Sequence, residues 1–228
     1  MIDTKQLLDK FMNSGVAGGL AGGLAGGALT GLLASKDGRK MAGSALKVGG
    51  VALAGGLAYK AYQSYRNKQD NNASGLPGDG MGTSARLSQE TFIPPGDDTA
   101  AQQSLGLLLL RAMISAAKAD GNIDSEETSK ILSEINRLGL EAEEKALLFD
   151  EYARPLDVQL LVKDVQTPEQ AIEVYAASLL AVGSQNAAET RYLHELARAL
   201  NLEPALVDEI ERTVAENMVA ASGDRQVA

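Results

Sequence analysis

The sequence predicts an all-α protein in three parts: a glycine-rich N-terminal membrane helix or helical hairpin, a flexible linker, and a compact C-terminal bundle of about seven helices. Three observations predict it. Glycine recurs every fourth residue at Gly15, Gly19, Gly23, Gly27 and Gly31, with Gly18, Gly22 and Gly26 alongside. Residues 67–98 hold Asn, Ser, Gly and Pro with no apolar period. From Asp98 onward apolar residues follow the helical period, with start and stop signals and few β-branched runs.

The head, residues 1–66, comes first. Residues four apart share one face of a helix, so the glycine stripe forms a flat ridge that another helix can approach closely. The filling is Leu, Ala and Val, and no charge occurs between Phe11 and Lys36. About twenty residues of helix span roughly 30 Å, the thickness of a bilayer core. Glycine costs about 1 kcal/mol against Ala in a water-exposed helix, whereas a bilayer enforces backbone hydrogen bonding despite it. A second apolar stretch, Met41 to Tyr62, is interrupted by Lys47. It either pairs with the first as a hairpin turning at Lys36–Lys40 or lies at the interface. Tyr59, Tyr62 and Tyr65 beside Lys60, Arg66 and Lys68 form the pattern of an interfacial anchor.

Charge separates head from body. Residues 1–68 carry nine Lys/Arg against three Asp, a net of +6; residues 69–228 carry 12 Lys/Arg against 27 Asp/Glu, a net of −15. The basic head suits anionic membrane lipid. The acidic body repels nucleic acid, which excludes DNA and RNA as partners. The positive-inside rule puts the body on the cytoplasmic side with one span or two. With no Cys, no Trp and a single His, the chain has few tools for covalent or acid–base catalysis, and a non-enzymatic role is expected.

The linker, residues 67–98, precedes a domain at 99–228 with helices expected at 99–119, 125–138, 141–152, 155–164, 168–182, 187–200 and 204–220. Asp124 with Glu127 three residues later, and Thr167 before Pro168, are start signals. Gly139 and Asn201 tolerate the left-handed conformation that ends helices. A repeat at an offset of 62 aligns Ala119, Gly121, Glu127, Thr128, Leu138 and Leu140 with Ala181, Gly183, Glu189, Thr190, Leu200 and Leu202. Each copy is a long helix, a short loop and a second helix. Tyr152, Tyr175 and Tyr192 fall at core positions, and His194 at a structural or surface one.

The one chemical constellation lies between the first two body helices, where Asp120, Asn122 and Asp124 alternate ahead of Glu126 and Glu127. Oxygen ligands converging from a turn at Gly121 suit a divalent cation. The loop begins like an EF-hand, then departs: Ser125 stands where the turn glycine belongs and Ile131 where the bidentate glutamate belongs. Asp124 as helix cap with Glu127 closing a capping box is the competing reading. Asp120 lies beyond it, at a helix C-terminus that disfavours anions. In the second copy Val182, Ser184 and Asn186 replace Asp120, Asn122 and Asp124.

The order MIDTKQLLDKFMNSG, a glycine-zipper head, a polar linker and LLLLRAMISAAKADGNIDSEE resembles the YebE-like bacterial inner-membrane proteins, whose C-terminal portion is related to the TerB-like domain of tellurite-resistance proteins. The resemblance implies a helical C-terminal domain, an inner-membrane location and no known reaction. It also implies a link to metal binding or metal stress through acids that match Asp120, Asp124 and Glu127. The expected function is therefore a membrane-anchored module whose glycine ridges self-associate. Its acidic domain would bind an unidentified protein partner or a divalent cation in stress response or envelope organisation. The alternative is a soluble metal-binding sensor or buffer with the head packed on protein.

Overall fold

The structure is a computed structural model that describes residues 3–13, 49–73, 87–95, 97–119, 142–182 and 186–223. All regular structure among these residues is helical: α1 (Thr4–Asn13), α2 (Gly49–Ala73), α3 (Gln89–Phe92), α4 (Thr99–Ala117), α5 (Ala142–Ala153), α6 (Val158–Lys163), α7 (Pro168–Val182), α8 (Ala187–Ala199) and α9 (Pro204–Gly223). The helices expected near 99–119, 141–152, 168–182, 187–200 and 204–220 recur as α4, α5, α7, α8 and α9. The element expected at 155–164 is shorter, because the Asp157 side chain caps it by accepting from the Leu160 N–H at 3.0 Å. The helix expected at 125–138 and the ridge Gly15, Gly19, Gly23, Gly27 and Gly31 lie outside the described residues.

The centre of the fold is α4 against α7, the first helices of the two repeat copies. Leu105, Leu109, Leu110 and Met113 on α4 meet a core that contains Ile172, Val174, Tyr175 and Leu180 on α7, all nearly inaccessible to water. Each fully buried aliphatic or aromatic side chain contributes about 1.5–3 kcal/mol of transfer free energy. Local chemistry sets the ends. Asp98 caps α4 by accepting from Ala101 N–H, and Thr167 caps α7 by accepting from Gln170 N–H, just before Pro168. Asn201 ends α8 in the left-handed region at φ 54°. Leu202 N–H bonds Ala197 C=O at 3.0 Å and Asn201 N–H bonds Arg198 C=O at 3.1 Å, the paired closure that satisfies orphan carbonyls.

The N-terminal elements join this same core. Leu7 and Leu8 of α1 are fully buried, and α1 docks on α4 at Gly106, where a Cβ would come within 3.3 Å of the Lys5 backbone. Ala54, Leu57, Ala58, Ala61 and Tyr65 line the buried face of α2, which packs on α9 as well as α1 and α7. Polar pairs fasten the α2–α9 seam. Lys68 Nζ donates to Glu209 Oε2 at 2.8 Å, and the Tyr65 hydroxyl donates to Glu203. Burial and that carboxylate push the Tyr65 phenol up to about 12.

This arrangement bears on three expectations. In the described part of the second apolar stretch, α2 has small residues on one face and charge at its C-terminal end, and it spends its apolar face on protein. No described helix is long and apolar enough to cross a membrane. Tyr59 and Tyr62 flank the ring of Phe92 at 5.7 and 6.0 Å between centroids. Finally, the expected linker is partly structured. Helix α2 continues through residues 67–73, and residues 87–95 form a strap across α2 that buries Phe92 completely. Gln102 Nε2 holds the strap by donating to Pro95 C=O at 2.7 Å. Residues 74–86 lie outside the described residues.

Gly55 is where the strap crosses α2. A Cβ there would lie 2.8 Å from Phe92 O and 3.2 Å from Ile93 Cγ1, whereas one on Gly56 would meet nothing within 4 Å. Gly55→Ala is therefore expected to cost about 1–3 kcal/mol by overpacking. Gly56→Ala should gain up to about 1 kcal/mol in helix propensity. Urea unfolding of the two variants checks the opposite signs.

Candidate functional site

Asp120, Asn122, Asp124 and Glu127 lie outside the described residues, but the rim that leads into them is described. Helix α4 ends at Ala117. Lys118 closes it, its N–H reaching Ile114 and Ser115 carbonyls, and Ala119 N–H bonds Ala116 C=O at 3.1 Å. The acidic loop thus begins directly beyond a helix C-terminus, where the dipole favours cations.

One face of α4 carries Arg111, Ser115 and Lys118, and all three line a polar cleft against α5 and α6. Arg111 is its hub: Nε donates to Glu151 Oε1 at 2.9 Å and an Nη to Asp164 Oδ2 at 2.9 Å. Glu151 is buried, its side chain 5% exposed, and it also lies 3.6 Å from Arg154. Lys118 Nζ donates to Tyr152 C=O at 2.6 Å and to Arg154 C=O, and it sits 5.6 Å over the Tyr152 ring. It therefore neutralises the carbonyl end of α5. Desolvation pulls its pKa below the usual lysine value, against the opposing pull of Glu151. The cleft is a closed set of charge pairs that fixes how α5 and α6 meet the end of α4. Chemically it can hold the loop's entrance rigid.

Beside it, Ala119 borders a groove between α6 and α8 with Leu156, Val158, Gln159, Arg191 and Tyr192. Leu156 and Leu160 are the exposed large apolar side chains among the described residues, at 39% and 48%. His194 sits on the exposed face of α8, and Tyr175 and Tyr192 are core residues. Tyr152 is partly buried against the core. No group of three or more His, Cys, Asp or Glu among the described residues is placed to hold a metal ion.

The second repeat copy shows how the equivalent loop works. Asn186 caps α8 by accepting from Ala188 and Glu189 N–H at 2.8 and 3.0 Å, and Glu189 returns a carboxylate to Asn186 N–H at 2.7 Å. This is the capping box expected at Asp124 and Glu127, realised at the residues aligned with them. Asn186→Ala is expected to cost about 1 kcal/mol. Asp124→Ala should cost the same if its loop is built alike, which thermal unfolding of both variants measures.

The sequence reading missed the Arg111 cluster because its acids stand 40 and 53 residues away. A signal was present: Arg111 is the single charge between Asp98 and Lys118, in the most apolar stretch of the body. Glu173 stands out likewise within AIEVYAASLLAV. It is 1% exposed and Oε1 has no hydrogen-bond partner.

Comparison with known proteins gives two matches. A sequence family described as "Protein of unknown function (DUF533)" matches residues 17–214. An "Uncharacterized protein in ampR 5'region" of Yersinia enterocolitica is 32% identical over 108 residues, which cover 47% of this chain and 78% of that protein. No solved structure matches.

Proposed function

Because the chain belongs to the DUF533 family, whose description assigns no reaction, we propose from its own geometry that it is a non-enzymatic, membrane-seated helical module. Its acidic domain faces the cytoplasmic side of a bacterial inner membrane and receives a protein partner there. One observation carries the reading: α1 and α2 pack on each other and on α4, so residues 14–48 begin and end at one domain. A single crossing would put Leu7 and Leu57 on opposite sides of the bilayer, yet both lie in one core. Two full spans of about 20 residues each exceed the 35 residues from 14 to 48. A membrane seat within residues 14–48 would therefore have both of its ends on one side. Its glycine ridges let the two limbs, or two copies of the chain, approach closely. Lys36, Arg39, Lys40 and Lys47 meet anionic headgroups. The partner docks beside the acidic loop, where Leu156 and Leu160 are exposed. A role in stress response or envelope organisation fits such an adaptor.

The chain has no Cys, so single thiols at the exposed Gln6 and Gln63 report sidedness. Gln6→Cys and Gln63→Cys are expected to react with an impermeant maleimide from the same, cytoplasmic side, and the protein to stay with carbonate-washed membranes. Labelling from opposite sides, or full-length protein soluble without detergent, would overturn the reading.

A second reading, a soluble cation sensor or buffer with the head packed on protein, draws support from Gly55. That glycine of the second apolar stretch is used against the strap. Calorimetry of the full chain with Ca²⁺, Mg²⁺, Mn²⁺ and Zn²⁺ separates the two. Saturable heat lost in Asp120→Ala plus Asp124→Ala favours the sensor; no heat leaves the loop a helix cap.

A further inference from the structure

Three elements meet around the missing side chain of Gly55. A Cβ there would be 3.0 Å from Glu173 Oε1 and 2.8 Å from Phe92 O, so the α7 carboxyl and the strap backbone meet at the same point on α2. No donor reaches Glu173 Oε1, and the charged groups nearby offer none. Its one titrating neighbour is Glu169, a turn earlier on α7 and 8% exposed. Residues 49–59 of α2 and 91–95 of the strap carry no charge. On α4, Arg111 is engaged by Glu151 and Asp164. On α9, Glu209 is engaged by Lys68 and Arg212, and Glu211 by the Tyr175 hydroxyl.

We infer that Glu173 is a protonation latch for the strap: neutral, it lets residues 87–95 lie sealed over α2 and α7; ionised, it expels them and uncovers the seat of Phe92 between Tyr59 and Tyr62. An unpaired carboxylate cannot stay in a site closed to water and lacking donors. Of the three elements around it, the strap is the one held by least. One short helix, one buried ring, the partly buried Leu87 and Ile93, a 3.4 Å bond from Leu87 N–H to the Tyr62 hydroxyl and the Gln102 contacts fasten it, whereas α2 and α7 are core helices. Burial, reinforced by Glu169, raises the carboxyl to about 9, so the latch is closed at neutral pH and opens under alkaline conditions.

Hydrogen exchange of the full chain between pH 6 and 10, corrected for intrinsic exchange, tests this at Thr91 to Ile93, with chymotryptic cleavage after Phe92 as a second readout. Protection in the wild type is expected to fall by up to tenfold per pH unit (~10-fold per 1.4 kcal/mol) as pH rises from 6 toward about 9, and to level off above it. Glu173→Gln should remain protected throughout. Glu169→Gln, by removing the like charge that helps raise Glu173, should make the loss smaller and end it at a lower pH. Equal loss in wild type and Glu173→Gln, or full protection of the wild type at pH 10, would overturn the latch. Should Glu173→Gln fold poorly, Glu173→Met supplies the same non-ionisable comparison.

Discussion

Glu173→Gln is expected to stabilise the protein by about 3 kcal/mol at pH 7, an unusual sign for a core substitution. The carboxyl has a reference value of 4.5 and is raised to about 9 in the fold. Below about 4.5 the group is protonated in both states and costs nothing. As pH rises toward 9 the unfolded chain ionises while the folded one does not, and stability drains at about 1.4 kcal/mol per pH unit. Above about 9 both states are ionised and the loss is complete. The glutamine variant has no such slope, so the two urea-unfolding curves should agree near pH 4.5, diverge steadily and run parallel above 9. Curves that stay superimposed from pH 5 to 9 would show that Glu173 finds a partner or water when ionised.

Arg111→Met should destabilise by about 3 kcal/mol, the low end for breaking a buried ion pair, because the guanidinium is itself a quarter exposed. It leaves the Glu151 carboxylate buried with Arg154 at 3.6 Å and the field of Lys118. The double variant Arg111→Met, Glu151→Leu should recover most of the loss, since the cost lies in the orphaned charge rather than in the missing bond. Failure of the second substitution to restore the unfolding midpoint would mean that the cluster positions α5 and α6 by geometry as well as by charge.

The helices were legible where local chemistry is complete in a few residues. Pro168 after Thr167 and Asn201 with its positive φ are each decided within one turn, and the described helices begin and end there. What misled was the second glycine-rich stretch. Small residues at helical spacing say only that a backbone comes close. Lipid-side helix pairing and a protein strap at Gly55 ask for the same thing. The tyrosines are open to two readings for a like reason, since a ring beside lysines looks alike whether it seats at a headgroup or against Phe92.

The sequence by itself determined the helical class, the ends marked by Thr167 with Pro168 and by Asn201, and the charge split between head and body. These follow from interactions between residues a turn apart, or from sums over the chain. Tertiary structure alone decided that α1, α2 and the strap belong to the same core as the body, that Arg111 gathers Glu151 and Asp164, and that Glu173 lies without a partner. Each of these depends on which surfaces meet across tens of residues. Burial then turns an ordinary charge into a constraint, because a site closed to water leaves it only its neighbours for solvation.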